Sequence, residues 1–336
     1  MKAIVLHAVG EPDSLRLEEV PDPVPPAGQV VVRLHAAALN HRDLFICRGQ
    51  YAGLRFPIIL GSDGAGEVAV VGPGVTGVRP GDAVVINPSL DWGDDPRVEG
   101  DKFRILGLPD NGTFAEMVAV PAANVAPRPS GLSAEETAAL PLAGMTAYRS
   151  VVTRGGVRPG ETVLVTGIGG GVATFALLIA RQAGARVLVT SSSDAKLERA
   201  RGLGADQGFN YRTQDWVKAV KAATGGAGAD LVIDGTGGKP LDQTLDALRP
   251  GGRVVTYGAT LGAVPELAVR RVFWKQLDVL GTKMGSTDDF RNMLALFGGG
   301  RLRPVVDQTF PLAEAGRALL RMADAAQFGK ITLRVA

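Results

Sequence analysis

Two stretches of the chain combine residue types that could do chemistry. The first, V-L-V-T-G-I-G-G-G-V-A at residues 163–173, is a glycine-rich string between an apolar run and an amphipathic one. Glycine suits such a place because the backbone must turn tightly and approach a pyrophosphate. That charge then rests on the free N–H groups of a helix N-terminus. Gly167, Gly170 and Ala173 keep a three-residue spacing, with Gly171 and Val172 between them. The string alone would fit many tight turns; after a strand, before a helix and about 20 residues ahead of a second strand, it reads as a dinucleotide fingerprint. The second stretch, I-L-G-S-D-G-A-G at 59–66, sets Asp63 among glycines and apolar residues. Such an aspartate could serve as a metal ligand, an acid, a base or part of a turn. Gly61, Gly64 and Gly66 read as the scaffold of a turn entering the strand E-V-A-V-V.

The end of the strand after the glycine string bears on which dinucleotide is bound. NAD sites place Asp or Glu there for the ribose 2′-hydroxyl, whereas a 2′-phosphate is repelled by a carboxylate and prefers hydroxyls and cations. Here the sequence reads T-S-S-S-D-A-K, with Ser191 and Ser192 at the strand end and Lys196 a short step into the next helix. This favours NADP(H). Ser193 as a helix N-cap and Lys196 as a solvated lysine are compatible alternatives.

The elements that must position these residues follow from the apolar pattern. Strands are expected at 162–166, 186–190, 207–211, 230–234, 252–257 and 278–282, with helices between them. Six short buried strands joined by helical crossovers predict an α/β fold with a doubly wound, six-stranded parallel sheet. Up to about residue 125 short β-type runs are broken by Gly and Pro, which predicts an irregular, mostly β domain. The prolines of P-D-P-V-P-P at 21–26 mark a loop, and Ser89 to Asn111 reads as a long excursion. A helix (287–297), a strand (305–310), a helix (312–322) and a strand (331–335) close the chain. They are too few for a third domain and are expected to rejoin the first. The expected domains are therefore 1–125 with 286–336, and 126–285.

Composition narrows the function classes. With 36 Lys and Arg against 34 Asp and Glu, and no basic run, the 336 residues carry no footprint for nucleic acid or an anionic membrane. The longest central apolar run, Val172 to Ala180, is half a membrane span, and the first ten residues are too weakly apolar for a signal peptide. A soluble, cytoplasmic protein is expected. A single cysteine, Cys47, excludes an intrachain disulfide and any zinc site of several thiolates. His7 and His35 are expected to be structural, and Cys47 a small core residue.

A-A-L-N-H-R-D at 37–43, I-L-G-S-D-G-A-G-E-V at 59–68, V-G-P-G-V-T-G-V-R-P-G-D-A-V at 71–84, L-P-L-A-G-M-T-A-Y at 140–148 and the glycine string recur in one order across nearly the whole chain. In these stretches the chain resembles the medium-chain dehydrogenase/reductase superfamily, and within it the zinc-free, quinone oxidoreductase-like branch. The resemblance implies a GroES-like catalytic domain interrupted by a Rossmann domain, an active site in the cleft between them, and a homodimer. It implies cofactor contacts at Gly170, Gly171, Val172 and Ala173 for the pyrophosphate, and at Lys196 and Tyr211 for the 2′-phosphate. Thr236, Tyr257, Gly258, Ala259 and Thr282 to Met284 match positions lining the ribose and nicotinamide.

Zinc-dependent alcohol dehydrogenases of that superfamily carry Cys where this chain has Asn40, a His-Glu pair where it has Ser62-Asp63, and Cys near Leu142. Their structural zinc lobe uses four cysteines, and the stretch 89–111 has none. The resemblance therefore implies chemistry without zinc, with Asp63 as a structural carboxylate. Hydride transfer to a quinone or an α,β-unsaturated carbonyl needs orientation and hydrogen-bond donors for the developing oxyanion. Candidate donors are Asn40, Tyr51 and Thr146; Asn40 could equally be a helix N-cap. Asp43 is expected to organise its loop, and His41 to be solvated or near a cofactor phosphate. The expected function is an NADPH-dependent, metal-free reductase of quinones or enones acting on a small-molecule substrate. The alternatives are an alcohol or aldehyde dehydrogenase of the same superfamily, and a non-catalytic NADPH-binding structural or regulatory protein.

Overall fold

The apolar run Q-V-V-V-R-L-H-A-A-A forms the longest strand of the first part of the chain, and its neighbours assemble on it. In this computed structural model, which describes residues 1–300 and 302–335, the strands there are β1 (Lys2–Leu6), β2 (Arg16–Glu19) and β3 (Gln29–Ala38). Helix α1 (His41–Cys47) and strands β4 (Ile58–Ile59), β5 (Asp63–Val71), β6 (Ala83–Ile86), β7 (Ser89–Leu90), β8 (Arg104–Ile105), β9 (Met117–Pro121) and β10 (Val125–Pro127) follow. Helices α2 (Ala134–Ala138) and α3 (Pro141–Tyr148) come next. The middle of the chain holds β11 (Thr162–Val165), α4 (Gly171–Gln182), β12 (Arg186–Ser191), α5 (Asp194–Gly202), β13 (Gln207–Asn210) and α6 (Trp216–Ala223). It continues with β14 (Ala229–Asp234), α7 (Gly238–Ala247), β15 (Leu248–Thr256), α8 (Val269–Lys275) and β16 (Asp278–Gly281). The chain closes with α9 (Thr287–Phe297), β17 (Val306–Pro311), α10 (Ala315–Ala323) and β18 (Lys330–Arg334).

Contacts group these elements into two units, Met1–Met145 with Gly285–Ala336, and Thr146–Met284. In the first unit β3 pairs along its length with β5, its beginning with β9 and its end with β18. The sheet runs β10-β6-β5-β3-β18-β17, so the last strands of the chain join the same sheet as the first. Its faces are closed by Val30, Val32, Leu34, Val84 and Ile86 on one cluster and by Leu6, Ile46, Phe114, Leu319 and Leu333 on another.

The glycine-rich stretch differs from its sequence reading. Only Gly61 has a left-handed φ of 94°; Gly64 and Gly66 are extended residues of β5, which begins at Asp63. The β3–β5 pairing reaches back to Ala38 opposite Asp63, and glycine permits it: a Cβ on Gly66 would lie 1.9 Å from the Arg33 carbonyl oxygen, where the register slips. His7 lies just past β1, exposed, with Nε2 2.7 Å from a Glu18 oxygen, so it is a surface residue and not a strand residue.

In the second unit six parallel strands are ordered β13-β12-β11-β14-β15-β16, a doubly wound sheet. Val163, Leu164, Val187, Leu188, Leu231, Val232, Val254 and Val255 are fully buried, as expected of parallel strands covered on both faces. The order reverses between β11 and β14, and open α/β sheets bind ligands beyond the carboxyl ends of the strands at such a switch point.

Candidate active site and dinucleotide-binding edge

Three adjacent strand ends of the first unit converge on Asp63. Asn40 follows β3, Asp63 opens β5 and Lys330 opens β18 on the other side of β3. Asp63 is fully buried and Lys330 is 2% exposed. The Lys330 ammonium donates to Asp63 Oδ2 at 2.9 Å, to Asn40 Oδ1 at 2.7 Å and to the Leu39 carbonyl at 2.6 Å. These three bonds use its three hydrogens. Asn40 Nδ2 donates to the same Asp63 oxygen at 2.9 Å, and the Leu142 amide donates to Asp63 Oδ1 at 2.8 Å. A buried carboxylate without partners would cost several kcal/mol, roughly. Here an ammonium and two N–H donors satisfy it.

A second layer of polar groups fixes the start of α1. Asp43 accepts from the Asn40 amide at 2.8 Å and from the Gly61 amide at 3.3 Å, joining the helix start to the turn before β5. Burial pushes its carboxyl up to about 6, against the opposing pull of Arg42. Arg42 donates to Ser62 Oγ at 2.8 Å and to the Leu106 carbonyl at 2.9 Å, and its guanidinium lies 5.1 Å from the centre of the Tyr51 ring. Ser62 in turn donates to the Leu106 carbonyl at 2.7 Å. His41 is held below its ordinary range by burial and by the Lys330 charge, which favours neutral imidazole at neutral pH. The Cys47 thiol is raised by burial and donates to the Gly10 carbonyl, as a core residue does.

The donor set does not fit a divalent metal. At the positions where zinc enzymes of the resembling superfamily hold their ion, Asn40 and Asp63 bond each other, Ser62 bonds Arg42 and the Leu106 carbonyl, and the Lys330 ammonium sits on the Asp63 carboxylate. Leu142 contributes a backbone amide to Asp63, not a ligand. Among the described residues no three His, Cys, Asp or Glu side chains converge.

The carboxyl edge of the parallel sheet does fit a dinucleotide. Gly170 caps α4, and a Cβ there would meet nothing within 4 Å, so the chain is open at the residue that leads into Gly171, Val172 and Ala173. Gly167, at φ 63°, donates to Thr190 Oγ1 at 3.1 Å, and Ile168 donates to the Thr190 carbonyl at 2.7 Å, stitching the loop to β12. Buried Asp234 organises the switch point: it accepts from Thr166 Oγ1 at 2.6 Å, Thr236 Oγ1 at 2.7 Å and the Gly237 amide at 3.0 Å. A cavity of about 350 Å³ opens there, lined by Thr166, Gly167, Thr190, Tyr211, Trp216 and Thr236 among others. The Thr282 hydroxyl, past the end of β16, is buried with no hydrogen-bond partner among the described residues. An orphaned hydroxyl at this edge is a contact in waiting.

The remaining expected cofactor residues fall on the same edge with distinct roles. Ser191 is buried and accepts from the Ser193 amide at 3.2 Å, while Ser192 is half-buried; Ser193 caps α5 through the Lys196 amide. The Lys196 side chain folds over the loop, its Nζ 3.2 Å from where a Cβ on Gly169 would stand. Tyr211 is 47% exposed at the mouth of the cavity. The Tyr257 ring lies on Gly235, where a Cβ would come within 2.4 Å of it, and burial beside Asp234 raises its phenol. Ala259 packs against Gly237 and Gly258 against Gly235. Met284 is buried with a left-handed φ of 48°.

Of the expected donors, Asn40 and Tyr51 stand in the first unit around Arg42, Asp43 and Asp63, and Thr146 is the first residue of the second. Asn40 stands at the N-cap of α1, in a capping box with Asp43 whose carboxylate accepts from the Asn40 amide, and its side chain also bonds Lys330 and Asp63. Lys330, Arg42, Asp234 and Thr190 were missed as site residues. The one signal for Lys330 was a lysine at the head of the apolar run K-I-T-L, too common to single out.

Residues 26–130 match the alcohol dehydrogenase GroES-like domain and residues 171–298 the zinc-binding dehydrogenase domain. The zinc-type alcohol dehydrogenase-like protein YogA of Leptosphaeria maculans is 36% identical over 96% of this chain and 94% of its own length. The chain belongs to the medium-chain dehydrogenase/reductase superfamily. It is accordingly an oxidoreductase with a dinucleotide-binding fold. An acryloyl-coenzyme A reductase of Sulfurisphaera tokodaii is 30% identical over 99% of this chain and all of its own. A crystal structure of an NAD-dependent alcohol dehydrogenase superposes with a TM-score of 0.96 at 43% identity, each chain covered completely. No helix among the described residues is long and apolar enough to cross a membrane.

Proposed function

We propose that this superfamily member is a metal-free, NADPH-dependent reductase of conjugated carbonyl compounds, quinones or α,β-unsaturated carbonyls. One observation carries the reading: Asn40 and Asp63, at two of the family's zinc positions, bond to each other and to the buried Lys330 ammonium, with Asn40 as a hydrogen-bond donor. A bound dihydronicotinamide would supply the hydride. The protein has to orient the acceptor and stabilise the charge that develops on its oxygen. A conjugated acceptor spreads that charge over several atoms, so neutral N–H and O–H donors can serve where an isolated ketone would call for a Lewis acid. Asn40 and Tyr51 are the donors of the first unit and Thr146 is a further hydroxyl. Lys196 in the first turn of α5 and Tyr211 at the mouth of the cavity favour NADPH, and the serines at the end of β12, with no acidic residue among them, agree.

The test is NADPH oxidation by the purified protein with quinones, enones, enoyl thioesters, aldehydes and ketones. Saturable turnover restricted to simple alcohols or aldehydes would overturn the substrate class. That outcome would favour the second reading, an NAD-dependent alcohol dehydrogenase, which the 43% identical structure supports. Tight NADPH binding without turnover of any acceptor would favour a binding or regulatory protein. The reading includes a cytoplasmic homodimer. Phe273 and Trp274 on α8 are 64% and 74% exposed, and β16 is the last strand of its sheet among the described residues, two features that suit self-association.

A further inference from the structure

The Lys330 ammonium is too committed to act as an acid or a nucleophile, yet its bonds decide how Asn40 is presented. An asparagine amide can be turned over at little cost in water, since its oxygen and nitrogen are alike in size. Here turning it would set its NH₂ against an ammonium and its oxygen against a carboxylate, 2.7 and 2.9 Å away. Both contacts would become repulsive in a site that is 7% exposed at Asn40. The amide is therefore locked with Oδ1 on Lys330 and one Nδ2 hydrogen on Asp63. The second Nδ2 hydrogen has no partner among the described residues. A cation on Oδ1 also withdraws electron density through the amide and makes that remaining N–H a stronger donor, as hydrogen bonds in series polarise one another.

We propose that Lys330 is a positioning residue for the reduction: it clamps and polarises the Asn40 amide so that its free Nδ2–H is aimed at the oxygen of the acceptor. Lys330 touches neither acceptor nor cofactor in this role; it acts through Asn40. The proposal rests on the reading of Asn40 as an oxyanion donor, and the experiment separates the two.

Turnover of a series of aryl enones of graded electron demand is measured for the wild type, Asn40→Leu, Lys330→Gln and the double variant, with NADPH affinity and Tm alongside. Removing one oxyanion donor costs about 100-fold in kcat in comparable sites. Asn40→Leu is expected to lose that much, and Lys330→Gln roughly tenfold or more, because its amide can hold Oδ1 without the charge. KM and NADPH affinity stay within about twofold, since the change falls on the transition state. The loss on Lys330→Gln grows as the enone becomes more electron-rich, which a merely structural role would not produce. In the Asn40→Leu background Lys330→Gln has no further effect on kcat.

Because Lys330→Gln leaves the Asp63 carboxylate without its cation, the pair Asp63→Asn/Lys330→Gln, which removes both charges, is measured too, with the same expectation. If Asn40→Leu leaves kcat unchanged, or the wild type reduces no acceptor, the donor reading itself falls and the Lys330 proposal with it. If Asn40→Leu lowers kcat while Lys330→Gln and the charge-neutral pair lower only Tm, or their losses add to that of Asn40→Leu, the Lys330 proposal alone is overturned.

Discussion

Lys196→Ala separates two uses of one ammonium, and the structure makes both physically accessible. Lys196 sits in the first turn of α5, next to the serines that end β12, where a 2′-phosphate would be read. Its side chain nevertheless folds over Gly169, Cδ 2.9 Å and Nζ 3.2 Å from the place a Cβ would take, so the charge hangs above the glycine loop. A hydrogen bond to a charged group contributes about 1.5–3 kcal/mol. Lys196 is half-buried, so solvent screening favours the lower part, about 1.5–2 kcal/mol, or roughly a 10- to 30-fold change in affinity. Titration by cofactor fluorescence gives Kd for NADPH and NADH with the wild type and the variant at two salt concentrations. The expected result is a 10- to 30-fold weakening for NADPH, shrinking at high salt, with NADH unchanged. Equal losses for both dinucleotides would refute a 2′-phosphate role and assign the ammonium to the pyrophosphate, which the two share. No loss for either would make Lys196 a surface lysine.

Three further outcomes follow from particular contacts. Asp43 is raised from 3.8 to about 6 by burial, so the folded state holds its proton more tightly than the unfolded chain. Stability relative to Asp43→Asn is expected to fall as pH rises from about 4 to about 6, by up to about 3 kcal/mol, and to stay level above 7; urea unfolding at stepped pH would contradict this with a constant difference. Gly66→Ala drives a methyl to within 1.9 Å of the Arg33 carbonyl oxygen. It should cost about 3 kcal/mol or leave the protein insoluble, and a Tm within a degree of wild type would show that β3 and β5 part easily. Replacing Phe273 and Trp274 together by Ser should shift the sedimentation coefficient from dimer to monomer without loss of NADPH affinity, whereas an unchanged coefficient would place any self-association elsewhere.

The second unit was more legible in sequence than the first. Parallel strands buried on both faces are short runs of Val, Leu and Ile, and each of the six expected strands overlaps an observed one. The largest offset, β15 starting at Leu248 and not at 252, has a physical reason: the Pro-Gly-Gly sequence lets the strand pair irregularly with β14 across a register shift. The glycines of 59–66 misled because a glycine that turns the chain and one that admits a neighbouring strand look alike in sequence. Only the pairing partner, Arg33 for Gly66, distinguishes them. Asn40, Asp43 and Asp63 could be named from their types and the resemblance. Lys330 could not, because its partners are 267 and 290 residues away and no local pattern marks a lysine that will be buried.

That distance explains how the site is built. This chain neutralises the buried Asp63 with a cation of its own, Lys330, delivered by the strand that returns after the second unit. β18 pairs with the end of β3, so the bond pattern that seats Thr332 opposite Ala38 also sets Lys330 beside Leu39 and Asn40. Completion of the sheet and neutralisation of the carboxylate are thus one event: without β18 the first unit would carry both an open strand edge and an unpaired buried charge. A tethered ammonium differs from a metal ion in what it can offer, since its three hydrogens are spent on Leu39, Asn40 and Asp63 and none is left to polarise a substrate directly. Its charge can reach an acceptor only through a neighbour, and Asn40 is the neighbour with a donor to spare. An isolated ketone would gain little from so indirect a charge, whereas an acceptor that delocalises its own oxyanion asks no more than an oriented N–H.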